Sequence, residues 1–113
     1  MVTYVLLAVF AIVIARTLFA RRGDISGPQA QALVKAGARL LDVRSPEEFS
    51  GQHLPGAVNL PLPALADKLS TLAPKDAPIV VYCQSGMRSA HAVKLLKANG
   101  FSQVHNLGGL GNW

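Results

Sequence analysis

The 113-residue chain carries one cysteine, Cys83. It follows the apolar run Ile79-Val80-Val81-Tyr82 and opens the segment Cys83-Gln84-Ser85-Gly86-Met87-Arg88-Ser89. A helix is predicted from Ser89 to Asn99. A thiol held between a buried strand and a helix start meets several influences that favour thiolate. The helix N-terminus offers unpaired N–H groups and a partial positive charge. A compact loop aims successive amide N–H groups at the sulfur, and Arg88 adds a permanent charge. Gly86 can take a backbone conformation closed to other residues. A thiolate so stabilised is a nucleophile and a carrier of covalently bound groups. Many lone cysteines are merely small core residues, but a structural thiol has no need of five polar or flexible neighbours. One cysteine also excludes an intramolecular disulfide and a cysteine-rich metal site.

The other chemistry-bearing residues are scattered. Asp42 and Arg44 lie at the end of another short apolar run, Ala38 to Val43, on the sheet edge expected to hold Cys83. Two readings are open. They support the loop, with Asp42 pairing Arg88 or Arg44 holding a nearby carboxylate, or they form an ordinary ion pair; the second is favoured. His53 precedes Leu54-Pro55-Gly56 and reads as a hydrogen-bonded turn residue. His53, His91 and His105 are far apart in sequence and show no ligand spacing. Glu47 and Glu48 sit where a helix dipole favours carboxylates, and Ser45 is a good N-cap.

The elements that must position Cys83 are punctuated by Pro and Gly. Helices are predicted over Pro28–Ala36, from Ser45, over Pro63–Leu72 and over Ser89–Asn99. Strands are predicted over Ala38–Val43, Ala57–Leu60, Ile79–Tyr82 and Gln103–Leu107. Alternating strands and helices imply an α/β fold with a parallel sheet covered by helices. In such sheets ligands bind beyond the carboxyl ends of the strands, where Cys83 lies.

Three segments, in order, resemble the rhodanese family of single-domain sulfurtransferases. They are the run from Ile79 to Ser89, the run from Leu41 through Phe49 to Pro61, and the ending Asn106-Leu107-Gly108-Gly109 through Trp113. The likeness covers about residues 24–113. It implies that Cys83 is the nucleophile and that Gln84, Ser85, Gly86, Met87, Arg88 and Ser89 form the sulfur cradle. It also implies a small anionic donor such as thiosulfate, a Cys83 persulfide, and cyanide or a thiol as acceptor. No metal or organic cofactor is expected, because the sulfur is carried covalently. Two other classes are open. Cysteine phosphatases and arsenate reductases place five residues between nucleophile and arginine, whereas four separate Cys83 from Arg88. Rhodanese-like modules that only bind partners lack the cysteine.

Half of the chain is hydrophobic, and the excess is at the front. Val2 to Ala15 holds no charge, and Arg16, Arg21 and Arg22 follow. A transmembrane helix over residues 2–20 is expected, because no polar face interrupts Val5 to Ala15 and no basic residue precedes the run as in a signal peptide. The three arginines would then lie on the cytoplasmic side with everything after Gly23. The expected organisation is an anchor with basic flank over 1–22 and a rhodanese-like domain over 23–113. Residues 23–113 hold 8 basic and 6 acidic residues. With no basic stripe interleaved with aromatics, nucleic-acid binding is not expected.

Overall fold

A computed structural model describes residues 1–15 and 23–113 in full, and residues 16–22 only as part of a helix. The first helix, α1, is Val2–Arg22. Then come α2 (Gly27–Lys35), β1 (Arg39–Asp42), α3 (Pro46–Gly51), β2 (Val58–Asn59) and α4 (Leu62–Leu65). A 3₁₀ segment, Ala66–Leu72, leads to β3 (Ile79–Cys83), α5 (Met87–Ala98), β4 (Val104–Gly109) and a last 3₁₀ turn, Leu110–Asn112. The four strands form one parallel sheet in the order β2-β1-β3-β4.

β3 is central and buried along its whole length, as expected of a parallel strand covered on both faces. Its side chains alternate between the faces. Ile79, Val81 and Cys83 join Leu65, Ala92, Leu96 and Phe101 under α4 and α5. Val80 and Tyr82 join Ala30, Leu40, Leu54 and Leu107 under α2. Cys83 therefore points toward α5 by parity.

Local capping fixes the short helices. Ser26 and Ser45 each accept from the backbone N–H three residues on, and the Gln29 and Glu48 side chains accept from the cap's own N–H. Both are reciprocal capping boxes, each with a proline in the first turn. The expected helix over Pro63–Leu72 is instead one α-turn followed by 3₁₀. Polar side chains compete for its backbone: the Thr71 hydroxyl donates to Lys68 O at 2.6 Å, and Arg39 donates to Thr71 O at 2.7 Å.

The expected transmembrane helix is not supported. Among the described residues no helix is long and apolar enough to cross a membrane. Val2 to Ala15 rises about 21 Å at ~1.5 Å per residue, short of the ~30 Å hydrocarbon core. The rest of the expected span, together with Arg16, Arg21 and Arg22, lies outside the described residues. Met1 through Ala15 are all exposed.

Candidate functional site

The carboxyl ends of β1, β3 and β4 bring Asp42, Cys83 and Gly109 to one edge, with Tyr82 in register with both Asp42 and Gly108. The chain leaves β3 at Cys83 and, after three intervening residues, enters α5 at Met87. Gly86 caps that helix at φ +100°, a conformation that favours glycine. This turn aims the Gly86 N–H at Cys83 Sγ at 3.0 Å, and the Ser89 N–H approaches the sulfur at 3.4 Å. The thiol donates to Ser89 Oγ at 3.5 Å. Ser89 is itself buried and donates to Gly86 O at 3.1 Å, bracing the turn. β4 comes in closely beside it: a Cβ on Gly109 would lie 2.8 Å from Gln84 O.

Cys83 is fully buried. The loop covers the sulfur as well as cradling it. Of the expected cradle, Gly86 and Ser89 reach the sulfur with their N–H groups. Gln84 and Met87 are exposed, and Ser85 and Arg88 are half-buried.

Arg44 takes the ordinary ion pair that the sequence favoured, whereas Arg88 takes a partner that sequence reasoning did not assign. Arg44 folds back onto Asp42, its backbone N–H donating at 2.9 Å and its guanidinium at 2.8–3.1 Å. Asp42 therefore pairs with Arg44 and not with Arg88. Both are buried, and the Asp42 carboxylate holds the Arg44 guanidinium above its ordinary pKa despite burial. Arg44 also donates to Gln52 O at 2.5 Å and to Gln84 Oε1 at 3.2 Å. The pair thus ties the sulfur loop to the end of α3. Tyr82 lies beneath, its ring 5.8 Å from the guanidinium carbon, its hydroxyl accepting from Leu54 N–H at 3.1 Å. Burial pushes the Tyr82 phenol up to about 12.

Arg88 donates to both oxygens of Glu48, at 2.6 and 2.9 Å. This bidentate pair holds the Glu48 carboxyl at about 2 and raises Arg88. Glu48 is the site residue that sequence reasoning missed. Its capping role is written in Ser45-Pro46-Glu47-Glu48, but its partner lies 40 positions away. His53 stacks on Phe49 at 3.9 Å and bonds Phe49 O through Nδ1, away from the sulfur loop's hydrogen bonds.

A lone thiol on a strand end, two amides aimed at it, and a helix starting beneath it can hold an anionic sulfur. Residues 26–113 match the rhodanese-like domain family, and the chain belongs to that family. It is a rhodanese-type sulfurtransferase. It is 42% identical over 77 residues to the uncharacterised protein YqhL of Bacillus subtilis, covering 67% of this chain and 60% of that one. It is 37% identical over 78 residues to the thiosulfate sulfurtransferase PspE of Escherichia coli, covering 68% and 75%. A solved rhodanese with anions from E. coli superposes with a TM-score of 0.65 at 35% identity, over 68% of this chain and 92% of the other.

Proposed function

We propose that the chain moves a sulfane sulfur through a Cys83 persulfide. The Cys83 thiolate attacks the outer sulfur of a donor such as thiosulfate. The S–S bond of the donor breaks and sulfite leaves with the electron pair. The product, Cys83-S-S⁻, then gives its terminal sulfur to cyanide or a thiol, and the Cys83 thiolate returns. The observation that carries this reading is the pair of backbone N–H groups on Sγ at 3.0 and 3.4 Å. Donors fixed by the backbone stabilise developing negative charge without reorganising. The Ser89 hydroxyl, which accepts from the thiol, needs only to rotate to donate to a thiolate. Because Cys83 is buried, donor and acceptor reach it through an opening of the Gln84–Met87 segment.

The proposed setting is a membrane face, with the domain on the cytoplasmic side and the apolar stretch Val2 to Ala15 against the lipid. The exposure of Val5, Phe10 and Ile12, each more than half accessible, supports this reading; so does the charge-free composition of Val2 to Ala15. Flotation of the full chain with liposomes tests it, and a chain that stays at the bottom of the gradient refutes it.

Intact-mass measurement after thiosulfate treatment tests the chemistry. A gain of one sulfur that is lost on adding cyanide, and absent in Cys83→Ala, is expected. Phosphate release from an aryl phosphate without thiocyanate formation would overturn the reading.

A further inference from the structure

Arg88 is the one cation of the sulfur loop, and its charge is already answered. Glu48 holds it with both oxygens. Glu48 cannot readily turn away, because its Oε1 also accepts from Ser45 N–H at 3.1 Å as the return half of the capping box. Its helix is fixed at the far end too, where Arg44 takes the Gln52 carbonyl. Arg44, which also reaches the loop at Gln84, is spent on Asp42. Glu47 is exposed on the same helix as Glu48. Counted together, residues 42–49 and 84–89 hold Asp42, Glu47 and Glu48 against Arg44 and Arg88. The mouth of the loop therefore carries no excess positive charge.

We propose that Glu48 sets the donor selectivity of the site by neutralising Arg88, so that the loop favours weakly charged sulfane donors, such as the persulfides of thiols, over small dianions such as thiosulfate. The proposal rests on the sulfur-transfer reading for its substrates. The guanidinium keeps an orienting role, since a fork of five N–H donors has two engaged by Glu48. Selectivity follows from the field: a neutral pair attracts a dianion far less than a free guanidinium would.

The test uses the full chain and two alkylating probes of similar size, anionic iodoacetate and neutral iodoacetamide, with labelling of Cys83 read by mass. Glu48→Gln keeps an oxygen for the Ser45 cap and removes the charge. The iodoacetate-to-iodoacetamide rate ratio is expected to rise about fivefold, the scale of one partly exposed charge, and to relax toward wild type in high salt. Glu48→Asp should return the ratio toward wild type. In turnover, Glu48→Gln should lower the KM for thiosulfate by a similar factor and leave kcat within about twofold, the split expected when ground and transition states gain alike. A merely structural role would slow both probes equally. An unchanged or lower ratio in Glu48→Gln overturns the proposal, as does failure of both probes to label the wild-type thiol. Should Glu48→Gln not fold, the double variant Glu48→Gln with Arg88→Gln gives a second measurement: a ratio within about twofold of wild type supports the proposal, and one about fivefold lower refutes it. The ratio needs no turnover, so absence of a Cys83 persulfide would refute the sulfur-transfer reading separately.

Discussion

Asp42→Asn should destabilise the domain severely, and the structure says by how much. Asp42 is 0% and Arg44 2% exposed. The Asp42 carboxylate accepts from the Arg44 backbone N–H, from Nε and from Nη2. Asparagine keeps one acceptor, presents an NH₂ to the guanidinium and removes the compensating charge. Breaking a buried pair from one side costs about 3–5 kcal/mol. Against a total of roughly 5–15 kcal/mol for a domain, that is a large fraction. At about 4–8 °C per kcal/mol for a domain of this size, even the lower figure lowers Tm by about 12–24 °C. Replacing both partners, Asp42→Leu with Arg44→Met, leaves no orphaned charge and should recover most of the loss. Cys83 alkylation should stay abnormal in that double variant, because Gln84 loses the bond that fixes the loop. Urea unfolding followed by circular dichroism gives the stabilities, and iodoacetamide labelling gives the loop. The reasoning fails if Asp42→Asn costs under about 1 kcal/mol, or if the double variant is as unstable as the two single losses added together.

Three further outcomes follow from the same geometry. Gly86→Ala, at φ +100°, should cost about 1–2 kcal/mol and slow persulfide formation more than it lowers Tm, measured by thiosulfate-dependent mass gain. Tyr82→Phe strands the buried Leu54 N–H and should cost about 1–3 kcal/mol in urea, with thiocyanate production per folded molecule unchanged. Acid should weaken the Glu48–Arg88 link in one window only. Glu48 lies at about 2 in the folded chain against 4.5 ordinarily. The pair's stabilisation is therefore complete above about pH 4.5 and is lost as pH falls toward about 2. With both side chains about a third exposed, that stabilisation is on the order of 1 kcal/mol or less. A wild-type stability profile matching that of Glu48→Gln across this range would contradict the pairing.

How far the sequence could be read depended on how local each determinant is. β3 was legible because Ile79 to Tyr82 are apolar without interruption, and the start of α3 because Ser45 is a good N-cap followed by two carboxylates. The Pro63–Leu72 prediction followed leucine spacing and missed that Thr71 and Arg39 compete for the backbone of a 3₁₀ segment. The loop's position after β3 was readable, but the direction of the Cys83 side chain was not, because an apolar run without alternation does not say which face each residue takes. The ordinary ion pair expected of Asp42 and Arg44 is the one that forms, but the partner of Arg88 was not legible. Arg88 meets Glu48 across 40 positions, a choice settled by where α3 sits against the sulfur loop, which no local pattern encodes. The apolar front of the chain was equally plain in the sequence, yet apolar composition alone does not establish a span.

The burial of Cys83 and the neutrality of its surroundings belong together. A carrier thiol that stays open to water loses its persulfide to any small thiol that diffuses by. Here the Gly86 and Ser89 amides face inward to the sulfur, and the exposed positions of the loop are Gln84 and Met87. Gln84 is held by Arg44 at 3.2 Å through a bond between neutral acceptor and charged donor, while Met87 is held by none of the bonds that brace the turn. Opening the loop therefore has to break the Gln84 contact. A partner that competes for Gln84 or Arg44 would open the cradle, and one that does not would find it closed. Cys83 labelling by iodoacetamide should accordingly rise several-fold in Gln84→Ala, on the scale of one exposed hydrogen bond of about 1 kcal/mol, with Tm lowered by only about 4–8 °C. Equal labelling of wild type and variant would place the entry route elsewhere on the loop.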